Sequence, residues 1–525
     1  MTRPIWVADC ETDPFKEDRI PAPFIWGAYN GDEYHEFTST REFVDFIIKG
    51  EKIVYAHNGG KFDWHYILDR LEPFTELMVI AGRLAKFQIG DAEFRDSYNI
   101  LPMPLAIWQK DEFDYAIMEA DVRHKPENWA KIRRYLRHDC EYLFEIVSEY
   151  IERYGLNLTQ ASSAMKTWQK ISGVKAPSTS QSFYAFFSPF YYGGRVQCFQ
   201  TGIIEKPFKV IDINSAYPYA MKHQHPWGNN YVVAKHLPNS RAYIQRSFIQ
   251  LCGVSQGAFP WRTKTGLDFP CDNESREYFV TGWEFLAAIE TGTLLDYDIR
   301  RVITFTDSIA FDDYVDHFYG LKTESKRTGD KAGYLFAKLF LNSLYGKFAA
   351  NPEKYHEYMV IEPRYIQAAI QDDYDFAAEL EQWALMSKAL AEEKQRYYNV
   401  ATAASITGFV RAYLWQAINQ CEGVLYCDTD SIACDSTGKL PLDSATLGSW
   451  DIESECTFGA IAGKKLYAFR DNDNKWKTAS KGVRLTPEEI IRVANGETVA
   501  HTPIAPSYSI KRGVGFITRN ICKSA

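Results

Sequence analysis

Residues 425–434 read Leu-Tyr-Cys-Asp-Thr-Asp-Ser-Ile-Ala-Cys, and on either side of the two acids the pattern is that of a half-buried β-strand. In a strand, residues i and i+2 point to the same side, so Asp428 and Asp430 would repel each other at neutral pH. Either a tight turn separates them or a cation lies between them. A related run, Phe208-Lys-Val-Ile-Asp212-Ile-Asn-Ser215-Ala-Tyr217-Pro218, starts as a buried strand and ends at a proline that cannot continue a central ladder. A buried aspartate such as Asp212 is costly unless it is paired or metal-bound. With Asp428 and Asp430 it makes a third carboxylate for one site.

The same pattern opens the chain. Ile5-Trp6-Val7-Ala8 runs into Asp9-Cys10-Glu11, again two acids at i and i+2. Next comes Ile53-Val-Tyr-Ala-His57-Asn58-Gly-Gly-Lys61-Phe62-Asp63, a strand, a Gly-Gly break and an aspartate that could simply cap an amphipathic helix. In a helical stretch further on, Tyr135 and Asp139 are four apart and share a face.

Between the two central acidic runs, Lys331, Tyr334, Lys338, Asn342 and Tyr345 recur at spacings of 3, 4, 4 and 3, which predicts one stripe of a helix opening after Thr328-Gly329-Asp330. The stripe covers about 21 Å, enough to span a nucleoside triphosphate and the base pair it joins. Lysine suits a triphosphate because a point cation follows spread, moving charge.

Composition narrows the class. The chain has 525 residues and is 46% hydrophobic, long enough for three or four domains. No apolar run exceeds about a dozen residues, and the N-terminus carries acids where a signal peptide needs a basic and then apolar run. The expectation is a soluble intracellular protein without a membrane partner. The ten cysteines lack CxxC pairs or Cys/His spacing, so no metal is placed on them. A net charge of −9 argues against indiscriminate coating of nucleic acid, but an enzyme needs only a local basic channel. Segments 461–525 (12 Lys/Arg, 5 Asp/Glu) and 320–354 (7 against 3) are basic and flank an acidic stretch, 361–394.

In order, DxE, NxxxFD and YxxxD resemble the 3′–5′ exonuclease domain of family B DNA polymerases, an RNase H-like α/β fold. That resemblance implies two divalent cations held by Asp9, Glu11, Asp63 and Asp139, with Tyr135 orienting the attacking water. It also implies Thr12, Asn58, Phe62 and Ser97 as ligands of a frayed single-stranded end. Asp212-Ile-Asn-Ser-Ala-Tyr217-Pro, Lys338-x3-Asn342-Ser-x-Tyr345-Gly and Tyr426-x-Asp428-Thr-Asp430-Ser are similar to that family's motifs A, B and C, and stand in its order. Tyr191-Tyr192-Gly193-Gly194 and Lys465-Leu-Tyr467 match the YxGG and KxY signatures of the protein-primed phage subgroup, and the N-terminal wording looks most like its tectiviral members.

The resemblance implies Asp212 and Asp428 bridging two Mg²⁺, with Asp430 in support; Mn²⁺ should substitute. Asp428-Thr429-Asp430 would be the turn of a palm hairpin. Lys338, Asn342, Lys331 and Lys326 would bind the dNTP, Tyr217 and Tyr345 shape its pocket, and Tyr217 exclude a ribose 2′-hydroxyl. Arg327 is a further triphosphate candidate. Lys465 and Tyr467 would hold the primer terminus, Tyr191, Gly193 and Gly194 the template between the two sites, and Thr407 and Arg411 the template near the polymerase site.

The implied layout is an α/β multidomain chain: exonuclease 1–165, palm 166–236 and 399–480, a first terminal-protein-region insertion 237–319, fingers 320–350, a second insertion 351–398 and thumb 481–525. Implied partners are primer-template DNA, dNTPs, a terminal protein that primes and a single-stranded DNA-binding protein, met by a monomer in the cytoplasm of an infected bacterium. One departure is expected. Relatives carry a β-hairpin in the second insertion, but 375–396 reads as helix, with Phe376, Leu380, Ala384, Met386 or Ser387, and Leu390 at roughly helical spacing and few β-branched residues. The basic segment with Lys475, Lys477, Lys481 and Arg484 reads as thumb, contacting duplex backbone. Competing readings are a primer-independent or repair polymerase, a nuclease with a decayed polymerase half, and a non-enzymatic scaffold. The last has no use for two ordered sets of acids.

Overall fold

The computed structural model describes residues 3–107, 112–264, 266–380 and 382–524. At the N-terminus, the strand Ile5–Thr12 lies parallel to Lys52–Ala56 and antiparallel to Pro23–Tyr29. The 29-residue helix Pro126–Tyr154 packs on it. Ile132, Tyr135, Leu136, Asp139, Cys140, Leu143, Ile146 and Val147 recur at three- and four-residue intervals, so this helix buries one stripe. Two carboxylate-bearing elements, the first strand and this helix, are thereby pressed together.

That sheet does not stop at the N-terminal region. It has ten strands in the order Asp375–Leu380, Trp383–Ala389, His356–Ile361, Glu76–Ile80, Arg83–Ile89, Ala92–Asp96, Lys52–Ala56, Ile5–Thr12, Pro23–Tyr29, Tyr34–Phe37. The helix expected over 375–396 is therefore a β-hairpin, paired Phe376 to Met386 and Leu380 to Trp383, with residue 381 outside the described residues. Burial explains the correction. Leu385 faces the N-terminal core with Tyr358, Val360 and Leu77, while Ala384 and Met386 face the other way onto Ala369 of the short helix Ile366–Gln371. Only a period of two serves both faces, and addition to an existing sheet overrides weak intrinsic β-preference.

The second sheet runs Trp476–Ser480, Leu466–Asp471, Trp450–Gly463, Phe208–Ile213, Ser431–Ser436, Glu422–Asp428, Val196–Cys198. The helix Val400–Ile418, buried along nearly its whole length, lies among the short helix Ala216–Met221, the helix Gly282–Glu290 and the helix Lys331–Phe348. A third sheet, in the order Tyr231–Ala234, Leu294–Phe305, Ser247–Ser255, Ser275–Thr281, leads into that Gly282–Glu290 helix through a Thr281/Glu284 capping box.

The helices Asp312–Thr328 and Lys331–Phe348 form a pair, turned at Gly329 (φ 77°) and capped by Asp330, which accepts from Gly333 N–H at 2.9 Å. The lysine stripe thus has the predicted helix, opening at the predicted place. Tyr154 packs against Phe340, ring centroids 4.1 Å apart and planes tilted by 34°, joining the N-terminal helix to this pair. Among the described residues no helix is long and apolar enough to cross a membrane.

Candidate active sites

The opening puzzle resolves as a turn. Thr429 takes φ 62° between the strands ending at Asp428 and starting at Ser431, and Asp430 N–H donates to Asp428 O at 2.7 Å. Asp212 sits opposite Ser431, which sits opposite Asp428, so the three share one face of neighbouring strands. Strand spacing sets the Asp212 and Asp428 backbones about 10 Å apart, within reach of two side chains directed at a common point. The bond from Ile213 N–H to Asp430 O, 2.9 Å, fixes the turn to the Asp212 strand.

Crowding shows in the electrostatics. Burial, and then the neighbouring Asp430 and Glu453, push Asp212 up to about 7. Burial and Asp428 push Asp430 up to about 6. Asp428 is matched by Lys465, whose ammonium lies 2.7 and 2.9 Å from its two oxygens. The expected primer-terminus residue thus rests on a catalytic candidate. Tyr467 is nearly buried between Tyr426 and Phe469. An all-oxygen set whose charges repel fits a hard divalent cation such as Mg²⁺.

A stability prediction follows from these raised values. With folded pKa values above the ordinary 3.8, the folded chain holds more protons than the unfolded one between about pH 4 and 7, so metal-free protein loses stability as pH rises through that window. In EDTA the melting temperature should fall from about pH 5 to about pH 8 more steeply than in Asp212→Asn. Mg²⁺ should recover more at the higher pH. Equal recovery at both would contradict it.

Next to the acids, Ser215 takes φ 57° and accepts from Lys322 Nζ at 2.9 Å. Burial holds Lys322 below the usual lysine value, and Lys338 and Lys326 add to that. Lys322 was not among the sequence candidates. Its i, i+4 spacing to Lys326 on one helix was the available signal. Tyr217 and Tyr345 stack at 4.2 Å with planes 7° apart, and burial pushes Tyr217 up to about 12. Lys331 and Asn342 are exposed on the same helix, whereas Arg327 is turned onto Glu324.

Thr407 and Arg411, expected at the template, are both buried. Thr407 is sealed in the helix core, its hydroxyl donating to Ala404 O at 3.2 Å. Arg411, 2% exposed, pairs with buried Glu284 at 2.7 Å and donates to the carbonyls of Tyr192 (2.7 Å) and Gly193 (2.9 Å). It holds the Tyr191–Gly194 stretch from behind. Arg262 bonds the Tyr191 carbonyl and lies over the Tyr192 ring at 4.1 Å. Gly194 has a steric reason: a Cβ there would meet the Thr429 side chain at 2.8 Å. Gly193 is exposed and has open space.

In the N-terminal site, carboxylate oxygens of Asp9, Glu11 and Asp139 all lie within 4.8 Å of one another. Asp63, 1% exposed, instead accepts from Cys10 N–H at 3.3 Å, and burial pushes it up to about 7. Tyr135 Oη is 3.0 Å from Tyr115 Oη and its ring 4.2 Å from Phe113. Those two were not sequence candidates, because nothing in their local spacing points at the helix. Burial and Asp139 hold Tyr135 far above the usual tyrosine value, so its hydroxyl stays protonated.

Asn58 accepts from Arg83 at 2.6 Å. Thr12 is nearly buried and donates to Asp13 O. Ser97, expected as a strand ligand, is wholly buried, 3.2 Å from Ala56 O and 3.0 Å from His57 Nδ1. Phe62 is ringed edge-on by Phe15, Tyr66 and Tyr508.

Comparison with known proteins gives the family and the fold. The profile of the family described as DNA polymerase type B, organellar and viral, matches residues 106–422. The chain is 38% identical to a DNA-directed DNA polymerase of Enterobacteria phage PRD1, over 98% of this chain and 97% of that one. It is 25% identical to a DNA polymerase of Bacillus phage phi29, over 89% and 86%. The structure of phi29 DNA polymerase complexed with primer-template DNA and incoming nucleotide superimposes with a TM-score of 0.76 at 20% identity, covering all of both chains. The chain belongs to the organellar and viral type B DNA polymerases.

Proposed function

We propose that this DNA polymerase is protein-primed, replicates a linear viral-type genome in the cytoplasm of an infected bacterium, and proofreads through a separate 3′–5′ nuclease site. The observation that carries the two-activity reading is the presence of two separate carboxylate sets: Asp212, Asp428 and Asp430 on one sheet, and Asp9 and Glu11 on a strand of the other, joined by Asp139 from the helix packed on it. Domain limits follow the sequence reading: nuclease 1–165, palm 166–236 and 399–480, fingers 320–350, thumb 481–525, and insertions at 237–319 and 351–398. The hairpin within 351–398 supports a DNA-guiding role for the second insertion, as in relatives that carry one.

When bound by Asp212 and Asp428, a pair of Mg²⁺ ions, or Mn²⁺, supplies the charge that acidifies the primer hydroxyl and neutralises departing pyrophosphate. The other steps belong to the chain. Lys322, Lys326 and Lys338 gather positive charge where a triphosphate would lie, with Lys331 and Asn342 along the same helix. Tyr217, held flat on Tyr345, is the side chain that would exclude a ribose 2′-hydroxyl. Lys465 releases Asp428 when the site fills and turns to the primer terminus with Tyr467. At the nuclease site Asp9, Glu11 and Asp139, joined by Asp63, would hold a second pair of ions, and Tyr135 would orient the attacking water.

The partners are primer-template DNA, dNTPs, a terminal protein whose hydroxyl accepts the first nucleotide, and a single-stranded DNA-binding protein. The test of priming is label transfer. With α-labelled dNTP, Mg²⁺ and the candidate terminal protein, label should move to a protein band, and it should not when Asp428 is Asn. Efficient start on template with no protein band labelled would favour the primer-independent alternative.

A further inference from the structure

We propose that Phe15 stacks on the unpaired 3′-terminal base of the strand being trimmed, forming with Phe62 an aromatic corner at the mouth of the nuclease site. The proposal rests on the nuclease reading above and adds to it a residue that no motif contains.

Phe15 is 45% exposed, although its ring contacts Phe62 at 5.7 Å with planes 67° apart. Two rings at that angle make an L-shaped recess, able to take a flat base against one face while the other ring meets its edge. The position is set by the chain. Glu11 stands four residues before Phe15 at the end of the first strand, and Phe62 directly precedes Asp63, so both rings rise beside the acids.

An exposed phenylalanine on a mobile loop would be unremarkable. This loop is braced at both ends. Arg123 pairs with Asp13 at 2.6 Å, Glu119 takes Lys16 at 2.6 Å and Arg19 at 2.9 Å, and Asp13 N–H donates to Ala22 O at 3.1 Å. Tyr66 Oη donates to Pro21 O at 2.9 Å. So many fixed points around one ring leave its free face open to water and ready for a partner. An unpaired base matches that face in size and polarity, and every base has one, so stacking would grip a frayed end without reading its sequence.

The test uses full-length enzyme with Phe15→Ala, Phe15→Leu and Phe15→Trp. Leu keeps apolar bulk without a π face, and Trp restores one. Degradation of a single-stranded oligonucleotide should show KM raised roughly tenfold in the Ala and Leu variants and restored in Trp, with kcat within about twofold throughout. The same oligonucleotide with 2-aminopurine at its 3′ end, bound in EDTA, should be quenched by wild type and the Trp variant but not by Ala or Leu. If Leu matches wild type in KM and quenching, at an equal melting temperature, the stacking role is wrong while the nuclease reading stands. If wild type does not degrade the oligonucleotide at all, the nuclease reading falls first.

Discussion

Asp428→Asn lowers primer extension by roughly a thousandfold or more and leaves the trimming of single-stranded 3′ ends within about twofold of wild type. The side chain keeps its size, so the turn through Thr429 and the register with Ser431 should persist. What goes is the charge that Lys465 now matches at 2.7 Å and that a divalent ion would claim during synthesis. Asp430, relieved of its charged neighbour, should titrate closer to an ordinary carboxylate. Gel-resolved extension of a primed template, with degradation of a single strand in parallel, reads both activities. Extension surviving within about tenfold would remove Asp428 from the reaction.

Asp9→Ala combined with Glu11→Ala produces the mirror result. Degradation should fall roughly a thousandfold, because two of three clustered carboxylates disappear, and Asp139 with Asp63 bonded to Cys10 N–H is too little to hold paired ions. Extension should stay within about twofold. Both residues lie on the Ile5–Thr12 strand, in a sheet different from the one bearing Asp212 and Asp428. Misincorporated primer termini should then persist, measurable as mismatch extension. An equal loss of extension would mean that the two sites are not independent.

Legibility in the sequence followed the chemistry. Carboxylates that gather around cations must be Asp or Glu at strand ends or on a helix face, so Asp9, Glu11, Asp212, Asp428 and Asp430 stood out from local pattern, Asp139 only from the order of the motifs, and the lysine helix from its 3.6-residue period. Phe376, Leu380 and Ala384 misled because a spacing of four suits a helical turn and is also a multiple of two, and the hairpin joins through His356–Ile361 a sheet whose next strand, at Leu77, is far away in sequence. Arg411 was placed only through the family resemblance, and its buried partner Glu284, 127 residues away in sequence, is invisible to any local pattern. Lys322 and Phe15 were hidden for the same reason. Their meaning lies in Ser215 and Phe62, which only folding brings near.

The unbroken ladder from the nuclease strands out to the Asp375–Ala389 hairpin makes the second insertion an edge guard. Excising it would leave Glu76–Ile80 with unpaired amides and carbonyls and strip the cover from Leu77, the kind of raw border through which proteins aggregate. A shortened enzyme built without the hairpin would therefore need a replacement border strand, or charges placed along the new rim, before its catalysis could be judged.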